Sequence, residues 1–464
     1  MKKNIITLSL AAAVTTSFAN TSIETKLSDL EKEIKTLKSQ LVKSNKKLNK
    51  VKAHSAGDNI KLGVEFRNTF ETLKYEDNFN NKTYENSSLL TSRLYLNMAA
   101  APAKNLMFKG KLAIYNTWGS HVFADYSGTD KGLKSWSASS KATDTLMRIK
   151  EAYFVYKFKS GNQPMAFSIG RRPASNGFLA NMRENEPNSG SPLAHITNME
   201  VNGAMLKLNL NRFVEGSYTK FVLGRAHTGE GYGVYGKPEE FPFAQTDTDK
   251  EDENVDFFVV PGVAYNDGQY QVMYQWAHIF NTKGKKLISK EKSVDAVDAG
   301  EADLFSVGLK VDGIGDEIND FLDETTMFAS LGFSKYNPKD GYALLSNEDG
   351  VSKSGNSIWV GAIMPDNITD NGKIGIEYNH GSKYWTPMTW AEDTSTGSKI
   401  AVKGDAFELY WNTNFFGSEN LTSQIRYTHI NHDYTPNINC AGWVASDDAD
   451  ITSKNLRFAI TYKY

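Results

Sequence analysis

From Asp58 to the C-terminus, apolar and polar residues alternate with a period of two. Ile60, Leu62, Val64 and Phe66 are interleaved with Lys61, Glu65 and Arg67, and the rhythm returns in segment after segment. That period puts successive side chains on opposite faces of an extended strand, so one face is apolar and the other charged. Sixteen candidate strands follow, near 59–73, 88–101, 104–118, 144–158, 163–173, 197–210, 213–225, 254–267, 269–281, 302–312, 323–336, 356–365, 372–385, 404–416, 419–433 and 453–464. The connections alternate. Short turns fall at Pro102 to Lys104, Gly161 to Asn162, Asn211 to Arg212, Asn266 to Gly268, Asp366 to Gly372 and Gly417 to Ser418, with a longer link from Gly313 to Leu322. Long polar loops lie between them, around 74–87, 119–143, 174–196, 226–253, 282–301, 337–355, 386–403 and 434–452. A soluble sandwich has no reason for that asymmetry, whereas a membrane barrel has short turns at one rim and long loops at the other. The pattern predicts an all-β fold over 58–464, a transmembrane antiparallel barrel of about 16 strands.

Upstream the rhythm differs. Residues 1–19 have the order of a signal peptide, with Lys2 and Lys3, an apolar stretch from Ile5 to Val14, and a small-x-small end at Ser17-Phe18-Ala19. Over residues 20–56, Leu27, Ile34, Leu41 and Leu48 occupy one heptad position and Ile23, Leu30, Leu37 and Val51 the other. This seam predicts a short α-helical coiled coil, interrupted by Ser44 and needing copies of itself to bury its stripe. Its second half is basic through Lys43, Lys46, Lys47, Lys50 and Lys52, which suits a solvated helix face or contact with anionic envelope polymer.

Composition narrows the class. A chain of 464 residues, 40% hydrophobic, with a mean hydropathy of -0.46 is too polar for a bundle of membrane helices. A barrel escapes that test because each strand shows only alternate side chains to lipid. The net charge of -2 gives no global basic field, so nucleic acid is not an expected partner. Cys440 is the only cysteine, which excludes an internal disulfide.

The final strand sets Leu456, Phe458, Ile460, Tyr462 and Tyr464 against Arg457, Ala459, Thr461 and Lys463. It resembles the closing strand of bacterial outer-membrane barrels, and the resemblance implies recognition by the barrel-assembly machinery through a terminal aromatic, here Tyr464. Arg148 to Tyr156 followed by Ile169 to Pro173 is similar to a strand pair of many porins. The stretch from Asp58 onward looks similar to a porin-like family known only as a domain of unknown function, in which signal, coil and barrel occur in this order. The resemblance implies an outer-membrane location, periplasmic termini and coil, small hydrophilic solutes and a homotrimer.

Strict alternation makes Lys61, Arg67, Arg93, Lys109, Lys111, Arg148, Lys150, Arg426, Arg457 and Lys463 pore-lining candidates, partly offset by Glu65. Closure would join these strands into one basic wall that favours anions. By resemblance to general porins the third long loop, 174–196, is the constriction candidate through Arg183, Glu184 and Glu186. Glu151 falls on the lipid face by strict alternation, so a bulge or a subunit contact is expected there. Trp118, Tyr274, Trp276, Tyr384, Trp385, Trp411 and Tyr462 lie toward strand ends and suit interfacial girdles.

No catalytic motif of the GxSxG, HExxH or P-loop kind is present, and no zinc spacing, so no catalytic, cofactor or metal residue is expected. The acidic stretch from Asp247 to Glu253 lacks the spacing of an EF-hand loop, and Gly229 to Gly233 lacks a βαβ setting. The expected function is a water-filled porin with mild anion preference. The alternatives are a structural or adhesive barrel without an open channel and a barrel-embedded hydrolase.

Overall fold

The computed structural model describes residues 60–118, 144–173, 176–186, 188–190, 193–227, 254–289, 292–315, 318–369, 371–389, 394–436 and 445–464. The expected signal peptide and coil, Cys440, the acidic stretch and the glycine run lie outside the described residues.

The strands are β1 (Lys61–Asp77), β2 (Lys82–Ala103), β3 (Leu106–Thr117), β4 (Asp144–Ser160), β5 (Gln163–Arg172), β6 (Val201–Asn209), β7 (Tyr218–His227), β8 (Val255–Asn266) and β9 (Tyr270–Ser289). They continue as β10 (Lys292–Asp312), β11 (Thr326–Pro338), β12 (Tyr342–Ala343), β13 (Lys353–Pro365), β14 (Lys373–Gly381), β15 (Gly404–Asn414), β16 (Leu421–Tyr434) and β17 (Asp448–Lys463). Strand β12 has two residues and pairs only with Lys285 and Lys286 of β9. The other sixteen form a ring in which each pairs antiparallel with its sequence neighbour, β11 passing directly to β13. Strand β17 returns to β1 in a register from Glu65↔Lys463 to Asp77↔Ile451. The seam is completed by the amide of Val64 donating to the carbonyl of Tyr464 at 2.9 Å and by the reverse bond at 2.8 Å. The predicted all-β barrel is therefore the observed fold, with a closed ring that leaves no sheet edge open.

Alternation sorts the faces as expected. Phe66 and Phe70 of β1 point outward and stay exposed, while Arg67, Thr69 and Glu71 beside them are buried inside. Leu456, Phe458 and Tyr462 continue the outer belt on β17, and Ile425, Tyr427, Phe407 and Leu409 on β16 and β15. No helix among the described residues is long and apolar enough to cross a membrane. At one rim the turns are short. Gly161, with φ of +57°, occupies the left-handed region open to glycine and lets two residues join β4 to β5.

Two expected loops are instead strand. Residues 74–87 are mostly the ends of β1 and β2, leaving only a turn at 78–81, and 282–301 are largely the tips of β9 and β10. Beyond the apolar belt both faces of a hairpin meet water, so hydropathy cannot separate it from a polar loop. The turn after β6 is longer than expected, 210–217, and the link 313–325 carries a one-turn helix, Asp320–Asp323, whose Leu322 amide donates to the Asn319 side chain at 2.9 Å.

Candidate functional site

The lumen is filled on one side and open on the other. Segment 176–200 turns into the barrel because its apolar residues have inward positions to pack on. Phe178, Leu179, Leu193 and Ala194 are buried against Val263, Met273, Phe328, Trp359, Ile363 and Tyr410 of the wall. Its polar groups are met as well: the Leu193 amide donates to Gln275 at 2.7 Å, and Gln275 donates to Thr197 at 2.8 Å. His195 lies between the hydroxyls of Ser330 and Ser357, at 2.8 and 3.0 Å, and burial lowers its pKa to about 3.

Residues 382–389 and 394–403 also enter the lumen, which the sequence reading missed. Trp385 is fully buried beside Ile196 and Met199 and donates its indole N–H to the carbonyl of Ile400 at 2.8 Å. Tyr384 packs against the same cluster. Both were expected in an interfacial girdle, and both are corrected here to lumen residues. Gly332 on β11 and Gly355 on β13 explain the approach, because a Cβ on either would collide with Trp385. The two segments hold each other through Asn198 to Met388 at 2.8 Å and Met388 to Ile196 at 3.0 Å. Of the remaining expected girdle residues, Trp276 and Tyr462 are exposed on the outer face, and Trp411 donates to Asp366 in a short turn at 2.6 Å.

A buried ionic network ties this filled side to the wall. Glu408 of β15 accepts from Lys399 and from Thr428 at 2.7 Å, and lies 3.5 Å from Arg183 and 3.9 Å from Arg426. Lys399 also reaches Glu377 at 2.7 Å, and Glu377 accepts from the Trp359 indole at 2.9 Å. Glu184 bridges Arg183 at 3.0 Å and Arg426 at 3.5 Å. The carbonyl of Arg183 accepts from Asn412 and Gln424 at 3.0 and 2.8 Å. Arg183, an expected constriction residue, is thus an anchor 2% exposed.

Opposite lies the open side. A cavity of about 750 Å³ runs along the inner face of β1 to β7 under segment 176–190, and a second of about 320 Å³ joins it at Glu65, Arg93, Asn176 and Glu186. The larger is lined by seven cationic side chains against three carboxylates. Of the ten pore-lining candidates, Lys61, Arg93, Lys109, Lys111 and Lys150 border the first cavity, and Arg67, Arg93 and Lys463 the second. Arg148, Arg426 and Arg457 border neither. Arg426 and Arg457 point inward but are covered, Arg457 lying 3.7 Å from Glu71. Alternation gives the face of a residue and carries no information about what packs over it.

Several charges on β1 to β4 are paired. Arg93 donates to Glu65, Lys111 lies 3.0 Å from Glu151, Lys150 pairs with Glu200, and Lys463 sits 3.8 Å from Glu65 and 3.9 Å from Glu186. The register skips one residue between Lys111↔Glu151 and Leu112↔Ile149, so Lys150 is the extra residue of a bulge. That bulge turns both Lys150 and Glu151 to the cavity and removes the expected charge from the lipid face. Burial raises the pKa of Glu186, and its neighbours Glu184 and Glu65 raise it further, against the pull of Lys463 and Lys111. No group of three or more His, Cys, Asp or Glu among the described residues could hold a metal ion.

A family model described as protein of unknown function, DUF3373, matches residues 83–458. No curated protein matches the chain. Solved structures similar to it include OprB of Pseudomonas putida at high pH, with 11% identity and a TM-score of 0.48 over 90% of this chain and 96% of that one. The anion-selective porin of Comamonas acidovorans is 11% identical, with a TM-score of 0.47 over 87% of this chain and 100% of that one. The outer-membrane channel DcaP of Acinetobacter baumannii is 12% identical, with a TM-score of 0.44 over 88% and 97%. The chain belongs to the DUF3373 family of proteins of unknown function, whose model spans most of its length.

Proposed function

We propose that this protein is a porin of the bacterial outer membrane, a water-filled passage for small hydrophilic solutes with mild anion preference, and not an enzyme. The observation that carries this reading is the open cavity along β1 to β7, whose lining has more cations than carboxylates. Such a wall lowers the energy of an anion and raises that of a cation, to an extent set by water and salt. Segment 176–190 is its constriction, with Glu184 and Glu186 facing the basic wall. In this reading the short-turn rim, both termini and the coil are periplasmic, the coil joins three copies, and Tyr464 is presented to the assembly machinery.

The test is a planar-bilayer recording of the purified full chain under a KCl gradient. Stepwise conductance with a reversal potential favouring chloride is expected; cation selectivity overturns the anion preference. A second reading is favoured by the dry packing of two segments inside the ring, namely a structural barrel without an open path. Total absence of conductance in the same recording decides for it.

A further inference from the structure

We infer that the outward face of β1, β2 and β3 is the surface on which copies of this chain meet, with the side chains of Asn68, Ser92 and Asn116 hydrogen bonding across the contact; this rests on the reading of a membrane barrel whose coil joins copies. The three residues are register partners in one row, Asn68↔Ser92 and Ser92↔Asn116. They share the outward parity of Phe66 and Phe70, whereas Arg67, Thr69, Tyr95 and Tyr115, of the opposite parity, are buried inside. Apolar rows enclose this one. Toward the long-loop rim the next outward pair is Phe70↔Leu90, and toward the short-turn rim the next row is Phe66↔Leu94↔Ile114. On β10, across the ring, the outward positions Phe305, Val307 and Leu309 run without such a break.

Two amides and a hydroxyl within an apolar belt cost free energy unless their hydrogen bonds are made, because hydrocarbon offers none. The row satisfies itself in part: the Ser92 hydroxyl donates to the Asn68 side-chain oxygen at 2.7 Å and accepts from the Trp118 indole at 2.6 Å. The side-chain oxygen of Asn116 is closed off without a hydrogen-bond partner among the described residues. Asn and Ser each carry donors and acceptors, so the same row on another copy complements it, and polar side chains hold membrane-embedded surfaces together in this way. The chain itself points to a second copy as the occupant. Residues 57–60 alone separate the heptad stripe from Lys61 at the start of β1. That stretch reaches about 17 Å when fully extended. Copies gathered by such a coil have their β1 strands tethered within that reach of the common axis, around which equal residues of each copy meet.

The experiment is thiol cross-linking of the full chain in membrane vesicles, with an oxidant and with a short bismaleimide, in a C440S background that removes the native thiol. S92C is expected to give a band at twice the mass of the chain, while F305C, outward on the opposite side of the ring, stays single. S92C that stays single with both reagents, or equal cross-linking of F305C, overturns the inference. So does an S92C band at another mass, which makes the partner a different protein. In N68L/S92A/N116L the dissociation constant of the detergent-solubilised oligomer should rise about tenfold, ~1.4 kcal/mol, with the folded, heat-modifiable band of the barrel retained. An unchanged constant assigns the row to lipid and overturns the hydrogen-bonded contact. Conductance is read on the same vesicles. Cross-linked copies without current defeat the channel reading and leave the contact standing, whereas current through a chain that stays monomeric does the reverse.

Discussion

The two sides of the lumen are built from the same alternating strands and end in opposite environments. Along β8 to β16 many inward residues are small or aromatic, with Gly332 and Gly355 making room and Trp359, Phe328 and Tyr410 making contact; the charged ones, Glu377, Glu408 and Arg426, are closed into one network, and two loop segments fill the space. Along β1 to β7 they are Lys, Arg, Glu and Tyr, and the space stays open. A buried charge needs a partner, a large apolar side chain needs a surface, and a row of cations needs water. The choice of inward side chain therefore decides which part of a barrel becomes core and which becomes passage.

The sharpest way to break this contrast is E408Q. It leaves Lys399, Arg183 and Arg426 around a neutral group in a dry site, and removal of one partner of a buried ionic cluster costs about 3–5 kcal/mol. Denaturant unfolding in detergent should show a loss toward the upper end of that range. W385A should follow at about 3 kcal/mol or slightly more, since the segment collapses partly into the space left. Its single-channel conductance should rise as 382–403 loosens; unchanged conductance would mean that this segment does not bound the passage.

Acid should act on the filled side through His195. His195 titrates near its ordinary value of about 6.5 when unfolded but is held to about 3 in the fold, so its contribution is whole above pH 6.5 and is lost as pH falls toward 3. Stability should drop by on the order of 1 kcal/mol per pH unit across that window, and H195Q should flatten the slope. The smallest effect on stability is expected at the open wall, where K109E should change it by less than about 0.5 kcal/mol. The same change should move the reversal potential toward cations, which sharpens the distinction between filling and lining.

The period of two made the sixteen strands, their closure and the face of most strand residues legible from the sequence alone. Glu151 could be flagged as misplaced, because a charge between Ile149 and Tyr153 breaks the rule, although the bulge at Lys150 needed the register. What sequence reading lacked was depth. Trp385 and Tyr384 read as girdle residues because aromatics near strand ends serve both lipid interfaces and cores. The available signal was the apolar content of the loops themselves, Phe178, Leu179, Leu193 and Ile196 in one and Trp385, Ile400 and Val402 in the other, together with glycines at inward strand positions. Arg426 and Arg457 were assigned a face correctly and an environment incorrectly, since cover comes from segments distant in sequence.

The seam between β1 and β17 is the one contact that turns a sheet into a ring. A chain without β17 would leave β1 and β16 as raw strand edges, whose amides find no water in lipid. Such a fragment therefore should not settle as a leaky half-barrel; it should stay uninserted and open to degradation. Closure thus makes insertion all-or-none, since no partial set of strands offers a stable stopping point.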